Sequence, residues 1–363
     1  MFSLKSLVLA LATLSLSTSS YAAPATGLRR RTCKAKPSKV TGAANFAPAP
    51  TANTNTTVSK PKPAGCFPSA GFQTPDSPTK FDLDDWWCSS DSEYAFLGFS
   101  YGVNGCPSKS SMTSSFKQMR SDFGARYIRM YATCDRSGFF DDVVEAAYDA
   151  GLGVYALVWL GFDGDDSYKG RLNSLLNTVK TNKLAPYVIR SIAIGSEAMF
   201  DNAISASALA STIKSVKGQV KKYGITVSTS DMAYQYTQNK NVLNAVDNVQ
   251  LNVLPFFSGA ATTGARANVM SDINSVKSAG KKVILTQTGW PSNQSVWKAN
   301  AASAVASVNS EKAYFDYLDD QCSTFKKSGS AWFAHIWDDN QLGGWGIVNN
   351  GKAKFDFNAR SKC

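Results

Sequence analysis

The sequence predicts a closed (β/α)₈ barrel on three observations. Eight short apolar runs are rich in β-branched and aromatic residues, amphipathic stretches ending in glycine separate them, and the whole alternation fits in about 270 residues. Strand-helix alternation implies a parallel sheet. An open doubly wound sheet usually carries a Gly-rich dinucleotide loop after its first strand, and that turn here reads SYGVNGCPSKS, without the fingerprint. The chain of 363 residues is 44% apolar and 12% aromatic, enough for a large core, which excludes disorder of the whole.

Residues 1–22, MFSLKSLVLALATLSLSTSSYA, place a lysine before an apolar run and end on Ser20 and Ala22, the pattern of a cleaved signal peptide. The run is too short and too serine-rich to span about 30 Å of hydrocarbon, and no later segment is apolar enough to be transmembrane. Export to the extracellular space or cell wall is therefore expected. Residues 23–80 are dominated by Ala, Pro, Thr, Asn, Ser and Lys and read as a flexible basic linker. Within them, Arg29-Arg30-Arg31 matches a processing site, and Asn55 opens a glycosylation acceptor, as does Asn293 further on. The formal charge of +11 is concentrated in this linker, where nine basic residues face Asp76 alone. The rest of the chain is close to neutral, which argues against nucleic acid and suits a neutral polymer.

Export makes the cysteines disulfide candidates. There are seven (Cys33, Cys66, Cys88, Cys106, Cys134, Cys322 and Cys363), so one is left over, and their spacing does not assign the pairs. No pair has CxxC spacing and His335 is the single histidine, so neither a metal site nor a Ser-His-Asp triad is expected, and no cofactor is implied.

The barrel is expected over residues 81–363. Its strand runs are 96–102, 125–131, 153–159, 189–197, 225–231, 248–257, 282–291 and 331–337, with helical patterns at 140–151, 171–180, 208–224, 267–280 and 311–329. In such a barrel the functional groups stand where strands end. Those residues are Phe99 and Tyr101, Arg129 and Tyr131, Trp159, Glu197, Asp231, Asn252 with Phe256 and Phe257, Gln287 and Trp290, and Trp337 and Asp338. Aromatic rings beside amides and carboxylates make a carbohydrate cleft, because flat rings stack on the C–H faces of pyranoses. For any single ring, packing beneath the helices is the alternative, and Asp231 and Asp338 read equally well as helix caps. Glu197 stands out, since SIAIGSEAMF puts a carboxyl directly after a β-branched strand and a Gly-Ser step. Buried there, it would hold its proton as a general acid must.

From about residue 94 to 363 these motifs resemble glycoside hydrolase family 17, the β-1,3-glucan hydrolases and their transglycosylating relatives. Gly195-Ser196-Glu197 resembles the family's Gly-(Asn/Ser)-Glu, which bears the general acid/base. Gln287-Thr288-Gly289-Trp290-Pro291 resembles Glu-Thr-Gly-Trp-Pro, whose Glu is the nucleophile, with Gln287 substituted at that position. Arg129-Met130-Tyr131 is similar to the family's Arg-x-Tyr, and Asn252 with Pro255-Phe256-Phe257 to its Asn-x-His-Pro-Phe-Phe, with Leu254 in place of the histidine. AWFAHIWDDN departs from the usual strand-8 stretch, setting His335 near a site Glu, whereas Gly344-Trp345-Gly346 matches again. The resemblance implies a catalytic pair at Glu197 and Gln287 and substrate contacts from Tyr101, Arg129, Tyr131, Asn252, Phe256, Phe257, Trp290 and Trp337. The partner it implies is β-1,3-glucan or a related wall polysaccharide.

A retaining glycosidase needs two carboxyls, one to protonate the leaving oxygen and one to attack the anomeric carbon. An amide is neutral and poorly nucleophilic, so Gln287 predicts weak or absent hydrolysis. Two readings follow: a glucan hydrolase or glucanosyltransferase whose second group is substituted, for which Asp231 and Asp338 are the candidate replacements, or a binding protein that holds β-glucan without cutting it. Loss of the nucleophile's charge also removes one influence that raises the Glu197 pKa.

Overall fold

The computed structural model describes residues 60–162, 166–259, 261–299 and 301–363. The signal peptide, the Arg29–Arg31 site, Asn55, Cys33 and most of the linker lie outside them. Eight parallel strands close into a barrel in sequence order: β1 (Ala95–Gly102), β2 (Tyr127–Tyr131), β3 (Gly153–Val158), β4 (Ile189–Ser196), β5 (Thr226–Asp231), β6 (Val249–Val253), β7 (Val283–Thr288) and β8 (Ala331–Ala334), with β1 pairing β8. Each strand is almost wholly buried on both faces, as a parallel sheet covered by helices must be. Three runs end earlier than their composition suggests. Pro255 follows β6 and cannot donate to a ladder, residues 289–291 leave the sheet after β7, and past His335, whose amide still bonds Thr288, the backbone bonds to Trp345 and Ser100 instead of β7.

Helices α1 (Leu83–Trp86), α2 (Lys109–Phe123), α3 (Phe139–Ala150), α4 (Ser167–Thr181), α5 (Ala185–Val188), α6 (Ala206–Val220), α7 (Ala233–Gln238), α8 (Lys240–Ala245), α9 (Ala265–Lys277), α10 (Val308–Asp320) and α11 (Cys322–Ser328) lie among the strands in sequence. Ser108, Ser205 and Ser307 accept N-terminal amides of α2, α6 and α10, and Gly124, Gly151 and Gly329 end α2, α3 and α11 in the left-handed conformation. The helix expected over 311–329 is two, broken at Gln321. The polar pattern of α2, with only Met112, Phe116 and Met119 buried, gave its sequence little apolar signal.

The linker boundary at Lys80 is corrected. Packing already begins near Cys66, where Phe67 is fully buried and stacks on Trp86 at 5.2 Å. The Trp86 indole donates to the Tyr187 carbonyl (2.8 Å), and the Cys66–Cys88 disulfide closes this strap. Two further disulfides, Cys106–Cys134 and Cys322–Cys363, fasten the turn after β1 to the one after β2, and α11 to the C-terminus. At the N-terminal end of the barrel Glu93, 2% exposed, accepts from Tyr127 (2.7 Å) and Arg190 (2.9 Å) and closes the floor. Among the described residues no helix is long and apolar enough to cross a membrane.

Candidate functional site

Small polar side chains that alternate along the strands build the site's base inside the barrel. Arg129 on β2 is 1% exposed and donates through Nη2 to Ser196 Oγ (2.9 Å) and Ser230 Oγ (3.4 Å) on β4 and β5. Ser230 Oγ donates to Asn252 Oδ1 on β6 (2.5 Å) and shares a 2.6 Å bond with Thr286 Oγ1 on β7. Ser100 on β1 donates to the Thr286 carbonyl (3.0 Å). Both hydrogens of the Asn252 amide are used, one on Ser196 Oγ (3.1 Å) and one on Glu197 Oε1 (2.8 Å). This belt fixes the amide, so the Glu197 carboxyl is held by a donor that cannot rotate away.

Glu197 reaches the barrel mouth because β4 ends irregularly. Its pairing with β5 shifts register between Ala193 and Ser196, Gly195 has φ +84°, and Glu197 itself sits at φ +61°. A Cβ on Gly195 would meet that of Ala198 at 2.7 Å, so the turn requires glycine. Asp231 holds the following loop, accepting the amides of Met199 and Met232 at 2.9 Å each. Burial raises the Glu197 pKa, while the Asn252 amide and the Arg129 charge pull it down. Desolvation outweighs both, so the carboxyl retains its proton more tightly even with an amide at position 287.

Gln287 occupies the matching end of β7, paired in register with Asn252, and is 5% exposed with its Oε1 buried and without a hydrogen-bond partner. The Thr-Gly-Trp-Pro-Ser stretch behind it is scaffold. Thr288 Oγ1 donates to the Val253 carbonyl (2.8 Å), Gly289 backs onto the His335 carbonyl, where a Cβ would lie 2.4 Å away, and the Trp290 indole donates to the Val305 carbonyl (2.8 Å).

The remaining expected contacts separate into two groups. Tyr131 is part-exposed, lies edge-on to His335 at 4.9 Å and beside the Arg129 guanidinium at 5.4 Å; burial, then the nearby Glu197 charge, pushes its hydroxyl up to about 12. Phe257 is part-exposed and stacks on Trp345 at 5.9 Å, which faces His335. Four expected contacts are corrected to packing. Tyr101 points outward, edge-on to Phe116 of α2 at 5.0 Å; Trp337 is wedged between Phe99 and Phe123; Trp290 and Phe256 are 0% exposed and pack on each other at 5.4 Å. No sugar reaches rings so enclosed. Asp338 is a loop acceptor for the amides of Asn340 and Gly351, so it and Asp231 are both committed to backbone.

His335 is 1% exposed, and burial together with the Arg129 charge lowers its pKa well below the ordinary value, so the ring is neutral; its Nδ1 has no partner. Ser196, Ser230 and Thr286 were missed as site residues, although the small polar residues at every second place in TVSTSD and VILTQT carried the signal. Asp201 was also missed. Its amide bonds the Glu197 carbonyl (2.8 Å), and burial, then the Glu197 charge, pushes its carboxyl up to about 7.

The comparisons with known proteins agree with this architecture. The family model for the BtgE/BtgC glycoside hydrolase domain matches residues 98–345. A probable beta-glucosidase btgE from Aspergillus fumigatus is 26% identical over 231 residues, 59% of this chain and 40% of that protein. A probable glucan endo-1,3-beta-glucosidase btgC from Aspergillus flavus is 24% identical over 177 residues, 46% of this chain and 25% of that protein, so the chain spans less than half the length of these curated relatives. The glycoside hydrolase family 17 beta-1,3-glucanosyltransferase from Rhizomucor miehei is 25% identical with a TM-score of 0.62, covering 75% of this chain and 99% of that one, and an active-site mutant of it has been solved in complex with laminaritriose. With the model matching from the first strand through the Trp345 loop, the chain belongs to the BtgE/BtgC glycoside hydrolase domain family.

Proposed function

We propose that this protein is a secreted, cell-wall glycoside hydrolase-like protein that binds β-1,3-glucan across the C-terminal mouth of its barrel, with Glu197 as a retained general acid and hydrolysis weak or absent. The observation that carries the reading is the amide of Gln287, in register with the same Asn252 that grips Glu197. An amide there can accept and donate hydrogen bonds to a sugar hydroxyl. It supplies neither a nucleophile nor a negative charge to an oxocarbenium-like transition state.

Among the described residues, the carboxylates weighed as replacements are committed elsewhere. Asp231 and Asp338 are occupied by backbone amides, and Asp201 follows Glu197 on the same loop, its amide bonded to the Glu197 carbonyl, whereas the attacking group must approach from the opposite face of the sugar. A binding role for wall architecture or for shielding glucan is therefore favoured over turnover.

The test is the release of reducing ends from a soluble β-1,3-glucan, measured for the wild type and Gln287→Glu beside binding of each to the same polymer. Binding by both with hydrolysis by the Glu variant alone, at least about a thousandfold above wild type, supports the proposal. Wild-type turnover that Glu197→Ala abolishes would overturn it in favour of an enzyme with a substitute second group.

A further inference from the structure

We propose that Trp159 and Phe162, on the loop after β3, form an aromatic platform on which a further glucosyl ring of the bound chain stacks, so that this subsite gives the groove a preference for longer glucans. The proposal rests on the glucan-binding reading above. Phe162, at 47%, and Tyr234, at 45%, are the strongly exposed aromatic side chains among the described residues. Neither is placed at random. Phe162 follows β3 and Tyr234 follows β5, and these strands flank β4, which ends at Glu197. A ring left in water forfeits the burial that drives folding, and here both forfeits occur at the end of the barrel where the acid stands.

The Phe162 ring meets the part-buried Trp159 edge to face at 5.2 Å and 81°, so the two rings form a corner. The backbone beneath it is pinned. Leu160 is 3% exposed and lies against Gly195, two residues before the acid. The Arg171 guanidinium of α4 donates to the Trp159 carbonyl (2.9 Å) while gripping both carboxylate oxygens of Asp135 (2.7 and 3.0 Å). A preorganised flat ring costs little entropy on binding, and the C–H face of a β-glucopyranose is the apolar surface that matches it. Two rings are too little surface for a stable protein interface, which buries about 1,200 Å² or more; a sugar ring in a chain already held at Glu197 needs only the one contact.

The experiment is calorimetric titration of the wild type, Phe162→Ala and Phe162→Tyr with laminaritriose and laminarihexaose. Phe162 is half in solvent, so its truncation leaves the core intact, and the Tyr variant restores a flat ring. The wild type is expected to bind the hexaose more tightly than the triose. Phe162→Ala should weaken hexaose binding about fivefold with less than about a twofold change for the triose, and Phe162→Tyr should recover it. Equal binding of both sugars by the wild type, or an unchanged hexaose-to-triose ratio in Phe162→Ala, overturns the platform and leaves the glucan reading standing. Wild-type protein that binds neither sugar overturns both.

Discussion

At the scale of single residues the site turns on two amides in register, Asn252 and Gln287. Asn252 donates to Glu197 Oε1 at 2.8 Å and so favours the charged carboxylate, in opposition to burial. Removing that donor should raise the Glu197 pKa further. In the Gln287→Glu background, where hydrolysis reports on the acid, Asn252→Ala should move the alkaline limb of the pH–rate profile upward by about one unit while lowering the maximal rate; a limb that stays in place or moves down would contradict the assignment. Gln287 Oε1, buried without a protein hydrogen-bond partner, is the complementary case: a neutral amide adds no negative charge beside the acid.

At the scale of elements, the loop after β8 is held by a buried charge cluster. Asp339 Oδ1 accepts the amides of Gly344 (3.0 Å) and Gly346 (2.8 Å), fixing Trp345 between them, and Lys354 Nζ joins Asp339 (3.1 Å) to Glu311 (2.8 Å) in the first turn of α10. Glu311 is 0% exposed, and burial pushes its carboxyl up to about 8 despite the ammonium beside it. Its folded pKa therefore lies above the unfolded value near 4.3, so stability from the retained proton is present in full below about pH 4 and is lost as pH rises through about 8. Glu311→Gln, which keeps a neutral side chain at every pH, should lose less stability than the wild type as pH rises between those limits. Thermal unfolding of both proteins across that range measures it, and parallel curves would show that Glu311 does not titrate as described.

For the whole molecule, stability is shared between the barrel and a strap that the sequence assigned to the linker. The disulfide joining Cys66 and Cys88 closes a segment with a sequence separation of 22, and Phe67 and Trp86 pack inside it. Cys66→Ser with Cys88→Ser should cost about 3 kcal/mol of unfolding free energy, seen as a lower melting temperature. Glucan affinity should hardly change, since the strap packs with Tyr187 just before β4, remote from the strand ends that carry Glu197 and Gln287. A loss of binding at temperatures where the variant is fully folded would place the strap nearer the groove than its contacts indicate.

The eight strand runs and the places of Glu197 and Gln287 were legible because burial on both faces writes continuous apolar runs and each strand's end is marked by a change in texture. Trp290 was readable as part of a motif but not as scaffold, and Tyr101 and Trp337 were readable as strand ends but not as outward-facing rings. The reason is geometric. Side chains alternate with a period of two, and register shifts at Phe96/Gly98 in β1 and Leu285/Thr288 between β7 and β8 reset that alternation ahead of these rings. The sequence by itself determined the barrel and the family its strand ends resemble. Only the tertiary structure decided which rings meet solvent and which carboxylates are tied to backbone, since both depend on neighbours brought in from strands and loops far away in the chain.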